Sequence, residues 1–117
     1  MEFAQDISMI ISSLKIYPGS VGRKDVLDIF RSLDWSLRET PGCLESSYSS
    51  GRRGDSEYFV QIALWRSEAD LARFIRSSLF GRVMTAMELS KAPPEIRFHE
   101  IEHTRGMEYI ESLREVV

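Results

Sequence analysis

Residues 40–69 read TPGCLESSYSSGRRGDSEYFVQIALWRSEA, and the order of signals within them decides the fold. Pro41-Gly42 stops a helix, because proline cannot continue one and glycine takes the left-handed dihedrals that close it. Leu44 to Ser50 and Glu57 to Trp65 are patterned as strands, and Gly51-Arg52-Arg53-Gly54-Asp55 between them reads as a turn. Ser67 is a helix N-cap, with Glu68 and Asp70 placed where the helix dipole favours acids. Helix stop, hairpin and helix restart make the middle of a mixed fold. Alternation puts Leu44, Ser46 and Tyr48 on one side of the first strand, opposite Cys43, Glu45, Ser47 and Ser49. In the second strand Tyr58, Val60, Ile62 and Leu64 oppose Phe59, Gln61, Ala63 and Trp65.

Working outward, Ser8 to Tyr17 alternates as a first strand, with Ile10, Ser12, Leu14 and Ile16 on one side and Met9, Ile11, Ser13 and Lys15 on the other. Pro18-Gly19-Ser20 ends it. A helix from about Gly22 to Glu39 follows, with Val26, Ile29, Phe30, Leu33 and Leu37 at helical spacing and Asp28, Arg31 and Asp34 mostly away from them. Trp35 lies off that stripe, either on a subunit contact or on the open surface. Glu68 to about Ser90 is helical in two pieces, bent near Ser77 to Gly81 where Ser-Ser and Gly weaken the helix. Ala92-Pro93-Pro94 leads to a last strand, Glu95 to Thr104, and Gly106 to Val117 adds a terminal helix with Met107, Ile110 and Leu113 inward.

The order is βαββαβ plus a helix, the α+β ferredoxin-like arrangement of four antiparallel strands with helices on one face. The other face keeps apolar groups, Ile11 and Phe59 among them, so pairing two sheets face to face would cover it. A chain of 117 residues makes one domain, with its core at about 8–104 and an extension over 105–117.

Apolar residues make up 43% and charged ones 28%, a mixture that folds and stays soluble rather than disordered. A net charge of -3 argues against nucleic acid as a partner, and the arginines at 52, 53, 73, 76 and 82 have no interleaved aromatics to stack bases. Cys43 is the single cysteine, so neither an internal disulfide nor a multi-thiolate zinc site can form. Met1 to Asp6 is acidic and reads as no secretory leader. No apolar run approaches the roughly 20 residues of a membrane span, so a cytoplasmic protein is expected.

Three stretches resemble the antibiotic biosynthesis monooxygenase family of dimeric α+β barrels: Glu39-Thr40-Pro41-Gly42-Cys43-Leu44, Trp65-Arg66-Ser67-Glu68-Ala69, and Ser78-Leu79-Phe80 with the strand after Pro94. The similarity spans about Ile10 to Ile101. It implies a homodimer closed through the sheet face and a pocket between sheet and helices in each subunit, lined by Ser13, Trp65, Phe74, Phe80, Met84 and Met87. It also implies oxidation of quinols or polycyclic aromatic molecules by molecular oxygen with no metal, flavin or other cofactor.

The haem-degrading branch of that family carries an Asn, a Trp and an iron-ligating His where Ser13, Phe74 and Met84 stand here, so the axial imidazole is missing. Quinol-oxidising members often carry a His at the place of Phe74, which removes the obvious base for a phenolic substrate. The remaining candidates are His99, His103, Tyr48, Tyr58 and Lys15. His99 shares a strand face with Arg97, a cation that would favour a phenolate, and His99, Tyr48 and Arg97 are the expected catalytic set. Cys43 is expected to be a small buried filler and Trp65 to pack between sheet and helix. Gly51 to Gly54 is no phosphate loop, since no helix follows to present its amides. The function expected is a cofactor-independent monooxygenase of a small aromatic molecule. The alternative is a non-catalytic dimer of the same fold that binds a small ligand or serves as an accessory subunit.

Overall fold

The computed structural model describes residues 8–115. In chain order the elements are β1 (Met9–Ile16), α1 (Arg23–Arg38), β2 (Cys43–Arg53), β3 (Ser56–Trp65), α2 (Glu68–Ile75), α3 (Phe80–Glu88), β4 (Glu95–Ile101) and α4 (Met107–Arg114). The strands form one antiparallel sheet in the order β2-β3-β1-β4, with β1 hydrogen-bonded between β3 and β4, and helices α1 to α3 cover one face. This is the ferredoxin-like α+β fold that the order of elements predicts. The acidic start, Met1 to Asp6, and the last two positions of the expected terminal helix lie outside the described residues.

Registration of the strands sorts the side chains into two faces. Ile10 pairs with Trp65, Ser12 with Ala63, Leu14 with Gln61 and Ile16 with Phe59, so these residues share the helix-covered face. Ile10, Leu14, Ile16, Phe59, Ala63 and Trp65 are all buried there against Val26, Phe30, Leu33 and Leu37 of α1. Phe59 therefore belongs to the core, not to the open face expected of it, because its register partner Ile16 points into the core. The open face carries Ile11, Ser13, Lys15, Tyr58, Val60, Ile62 and Leu64 with Arg97, His99 and Ile101 of β4.

A bulge between Cys43 and Glu45 shifts the alternation of β2, so that Cys43 opposite Trp65 joins Ser46 and Tyr48 on the covered face. Leu44, expected with Ser46 and Tyr48, is half exposed instead. Cys43 packs against the core, and its burial raises the thiol pKa. The hairpin turn is tighter than the five residues expected. β2 runs on to Arg53, pairing Arg52 with Glu57, and only Gly54-Asp55 turns, with Gly54 at φ +63°.

Gly42 has the other positive φ, +87°, and a Cβ there would lie 2.2 Å from Asp70 Cγ. The helix stop and the helix restart thus meet at one point, where only glycine leaves room for the Asp70 carboxylate. Asp70 is buried and accepts hydrogen bonds from Arg66, Arg73 and the Ser67 hydroxyl, while Ser67 Oγ accepts the Asp70 amide as the N-cap of α2. α2 and α3 are separate helices, and Ser77 closes the first by donating both its amide and its hydroxyl to Phe74 O. α4 departs from expectation: Met107, Ile110 and Leu113 are all more than half exposed, and none of the helix's residues is buried.

Candidate functional site

Between the covered sheet face and α2 and α3 lies a narrow cleft of about 20 Å³, open to solvent at one side, lined by Ser12, Ser13, Leu14, Gln61, Leu71, Phe74, Ile75, Phe80, Val83, Ile96 and Phe98. It forms because the short helices leave β4 partly uncovered, so that Ile96 and Phe98 stay 37% and 46% exposed at its mouth. Its walls are aromatic. Phe74 of α2 stacks on buried Trp65 at 5.0 Å between ring centroids, and Phe80 meets Phe74 edge-on at 5.4 Å.

Of the three polar residues in this lining, Ser13 belongs to the open face, and Ser12 and Gln61 are each oriented by a neighbour. Trp65 Nε1 donates to Ser12 Oγ at 3.0 Å, which leaves the Ser12 hydroxyl its own proton to donate. Gln61, 6% exposed, donates from Nε2 to Ser46 Oγ at 3.3 Å and to Ile62 O at 3.1 Å. Ser46 Oγ in turn donates to Asp34 Oδ1 at 2.6 Å, and Asp34 Oδ2 accepts from Arg38. A carboxylate can only accept, so Ser46 must donate to it, Gln61 must donate to Ser46, and the Gln61 amide oxygen is left as the free acceptor. The same chain explains why Asp34, expected away from the apolar stripe of α1, is buried at 5% exposure: both its oxygens are satisfied.

The residues expected to line the pocket separate in the structure. Phe74 and Phe80 line the cleft, Ser13 borders it, and Trp65 forms the layer behind Phe74. Met84 is 54% exposed on the outer side of α3 and Met87 packs into the core, so neither borders the cleft. The sheet also divides the three expected catalytic residues. His99 pairs with Ile11 and Arg97 with Ser13 on the open face, whereas Tyr48 pairs with Gln61 on the covered face and packs against the core. Of the other candidate bases, Lys15 sits over the Tyr58 ring at 4.6 Å on the open face, and His103 lies exposed beyond β4. No titratable side chain is among the described residues of the cleft lining. No group of three His, Cys, Asp or Glu side chains could hold a metal among the described residues, and no described helix is long and apolar enough to cross a membrane.

Ser12 and Gln61 escaped the functional reading although their positions were legible. Each is a polar residue inside an otherwise apolar alternation, Ser12 between Ile10 and Leu14 and Gln61 between Phe59 and Ala63. A polar side chain on the buried face of a strand needs a partner or a ligand, and that was the available signal.

Residues 8–86 match the family model described as antibiotic biosynthesis monooxygenase. Among solved structures the chain is similar to Rv0793 from Mycobacterium tuberculosis, at 16% identity and a TM-score of 0.70 over 85% of this chain and all of that one. It is also similar to SnoaB, a cofactor-independent oxygenase from Streptomyces nogalater, at 14% identity and a TM-score of 0.65 over 84% of this chain and 96% of that one. A conserved protein from Methanosarcina mazei Go1 aligns at 19% identity and a TM-score of 0.65, over 83% of this chain and 96% of its own. Among curated proteins none matches this chain in sequence.

Proposed function

From the premise that the chain belongs to the antibiotic biosynthesis monooxygenase family, we propose that it oxidises a quinol-like or polycyclic aromatic molecule with molecular oxygen, without a metal or flavin, in the cleft under α2 and α3. The observation that carries this reading is an aromatic-walled cleft whose lining includes two polar residues held by neighbours, Ser12 with a proton to donate and Gln61 with an amide oxygen to accept. Because the closed cleft has room for little more than a water, α2 and α3 move apart to admit a planar substrate, which then lies against Phe74 and Phe80. Its hydroxyl donates to Gln61, and its carbonyl oxygen accepts from Ser12.

For a ring CH₂ flanked by aromatic rings, loss of a proton gives an enolate whose oxygen the Ser12 hydroxyl stabilises. The enolate passes an electron to oxygen, and recombination gives a hydroperoxide that loses water. Two C–H bonds break and one C=O bond forms. One oxygen atom enters the product and the other leaves as water, so CH₂ plus O₂ becomes C=O plus H₂O with all four electrons accounted for. Since the lining holds no titratable group, the proton passes to solvent, and the rate follows the ionisation of the substrate itself.

In this reading His99 and Arg97 belong to the open face, where a second copy of the chain covers them, and Tyr48 supports Gln61 from the neighbouring strand. The family is typically homodimeric, which supports a dimer through that face. A cytoplasmic setting fits a chain whose single cysteine is half-buried. A second reading, ligand binding without turnover, draws on the missing base.

Oxygen uptake with a panel of quinols and anthrones tests the proposal. Turnover is expected, with kcat/KM lowered at least about tenfold by Ser12→Ala, an effect of the kind seen on removing one oxyanion donor. A similar loss is expected for Gln61→Leu, while His99→Ala and Tyr48→Phe stay within about threefold of the unsubstituted chain. Binding of these compounds with no oxygen uptake would establish the second reading instead.

A further inference from the structure

The cleft is smaller than the molecules it is read to oxidise. Its volume of about 20 Å³ holds about one water, whereas a benzene ring occupies a cavity of about 150 Å³. A ring of the protein's own fills the missing space. Phe74 lies on Trp65 with 5.0 Å between centroids and 24° between the planes, and Phe80 meets its edge. A flat ring stacked on an indole is the arrangement that a planar aromatic ligand would adopt there. Trp65 Nε1 donates to Ser12 Oγ, so this indole and the hydroxyl assigned to the substrate oxygen form one unit.

Phe74 also borders a second hollow. Pro41, Arg73, Ser78 and Leu79 are among the residues around a surface pocket of about 240 Å³, room enough for a phenyl ring. Of the residues that line the cleft, Phe74 alone reaches this pocket, and Trp65 does not border it. A Phe74 ring that leaves the indole therefore has a place to go.

The chain around Phe74 is anchored on one side only. Asp70, one turn before it, accepts hydrogen bonds from Arg66, Ser67 and Arg73 and so pins the start of α2. After Phe74, among the described residues, the hydrogen bonds of residues 76–81 reach no further than four positions along the chain, and Ser77 and Ser78 are exposed. The joint between α2 and α3 can shift while the first turn of α2 stays in place. Carbon atoms in contact lie about 3.5–4 Å apart, so a ring slipped between Trp65 and Phe74 requires about 7–8 Å where the centroids now lie 5.0 Å apart. The movement asked of Phe74 is about 2–3 Å.

We infer that Phe74 holds the place of a substrate ring: it fills the slot on Trp65 in the empty protein, and an entering planar aromatic ring displaces it into the Pro41–Ser78 pocket and lies between the two. Phe74 is thereby a specificity-determining residue. A ligand has to part it from Trp65, and only a flat aromatic face regains a stack on both sides. The inference rests on the reading of the cleft as the site of a planar aromatic substrate.

Titrations of Trp65 fluorescence on the full chain test it, with Trp35→Phe leaving a single tryptophan and anthrone held under argon so that nothing is oxidised. Ser78→Leu fills the pocket from an exposed position and is expected to weaken anthrone binding at least about tenfold. In a Phe74→Ala background the same substitution is expected to change it less than about twofold, since no ring then has to move. Phe74→Ala is also expected to bind toluene, a ring the size of the one removed, at least about tenfold more tightly than the parent chain does. Equal effects of Ser78→Leu in both backgrounds, or toluene binding unchanged by Phe74→Ala, would overturn the displacement. So would anthrone binding that Ser78→Leu leaves as it is, a comparison that stands even if Phe74→Ala does not fold. No anthrone binding by any of these chains would overturn the slot and the aromatic-substrate reading together. The expected shifts without oxygen uptake in air would leave the slot standing and remove the oxygenase reading alone.

Discussion

Gly42 and Asp70 show how much one residue can hold in this fold. At φ +87° an alanine would be strained, and its Cβ would enter the space of the Asp70 carboxylate. Gly42→Ala is expected to destabilise the protein by at least about 3 kcal/mol, read as a fall of about 12 °C or more in the thermal midpoint. Asp70 itself gives a pH signature. Hydrogen bonds from Arg66, Arg73 and Ser67 hold its carboxyl well below the usual carboxylate range. A carboxyl lowered in the folded state binds protons less readily there than in the unfolded chain. Its contribution is complete above about pH 4, the unfolded value, and is lost as pH falls through the lower folded value. Asp70→Asn should therefore be less stable than the unsubstituted chain at pH 6, with the gap closing in thermal melts below pH 4.

At the scale of elements, α2 is the piece that joins fold to site. Its N-cap, Ser67, and its first-turn acids are legible in sequence because capping is local chemistry, and the structure shows both. The face it presents was legible too, since Leu71 and Phe74 recur at helical spacing and are buried. The bulge at Cys43 and Glu45 was not legible, because alternation carries no mark of where a strand slips by one residue. The separation of His99 from Tyr48 was equally hidden: period-2 patterning gives sides within a strand, but which sides coincide across strands depends on register. Phe74 offers a test of what α2 contributes. If the cleft lacks only a base, Phe74→His should raise the rate of quinol or anthrone oxidation at least tenfold near neutral pH, with a rise that follows imidazole deprotonation. Loss of the Trp65–Phe74 stack should lower stability by about 1 to 3 kcal/mol. Lowered stability with no change in rate would mean that α2 shapes the cleft without giving a group at this position access to the reacting atoms.

The whole molecule has one face finished and one face unfinished. Helices α1 to α3 bury the first except at β4, where Ile96 and Phe98 stay exposed, while on the second Ile62 is 43% exposed among Ile11, Tyr58, Val60 and Leu64, with Lys15 laid across Tyr58. A stable homodimer commonly removes about 800 Å² per partner from water, an area that a four-stranded sheet face can supply. Such a contact is more apolar than an ordinary surface, as this face is at its centre. A charge placed there would have to be desolvated without a partner, at a cost of several kcal/mol per dimer. Ile62→Glu is therefore expected to shift the chain to monomer at micromolar concentration in light scattering. Its far-UV spectrum should be retained, since the side chain leaves the face away from the core. If the cleft under α2 and α3 is complete within one subunit, the same variant should still bind a planar aromatic ligand in a fluorescence titration. A monomer that no longer binds would mean that the second copy completes the site, because Ser13 on β1 belongs to the open face and yet borders the cleft.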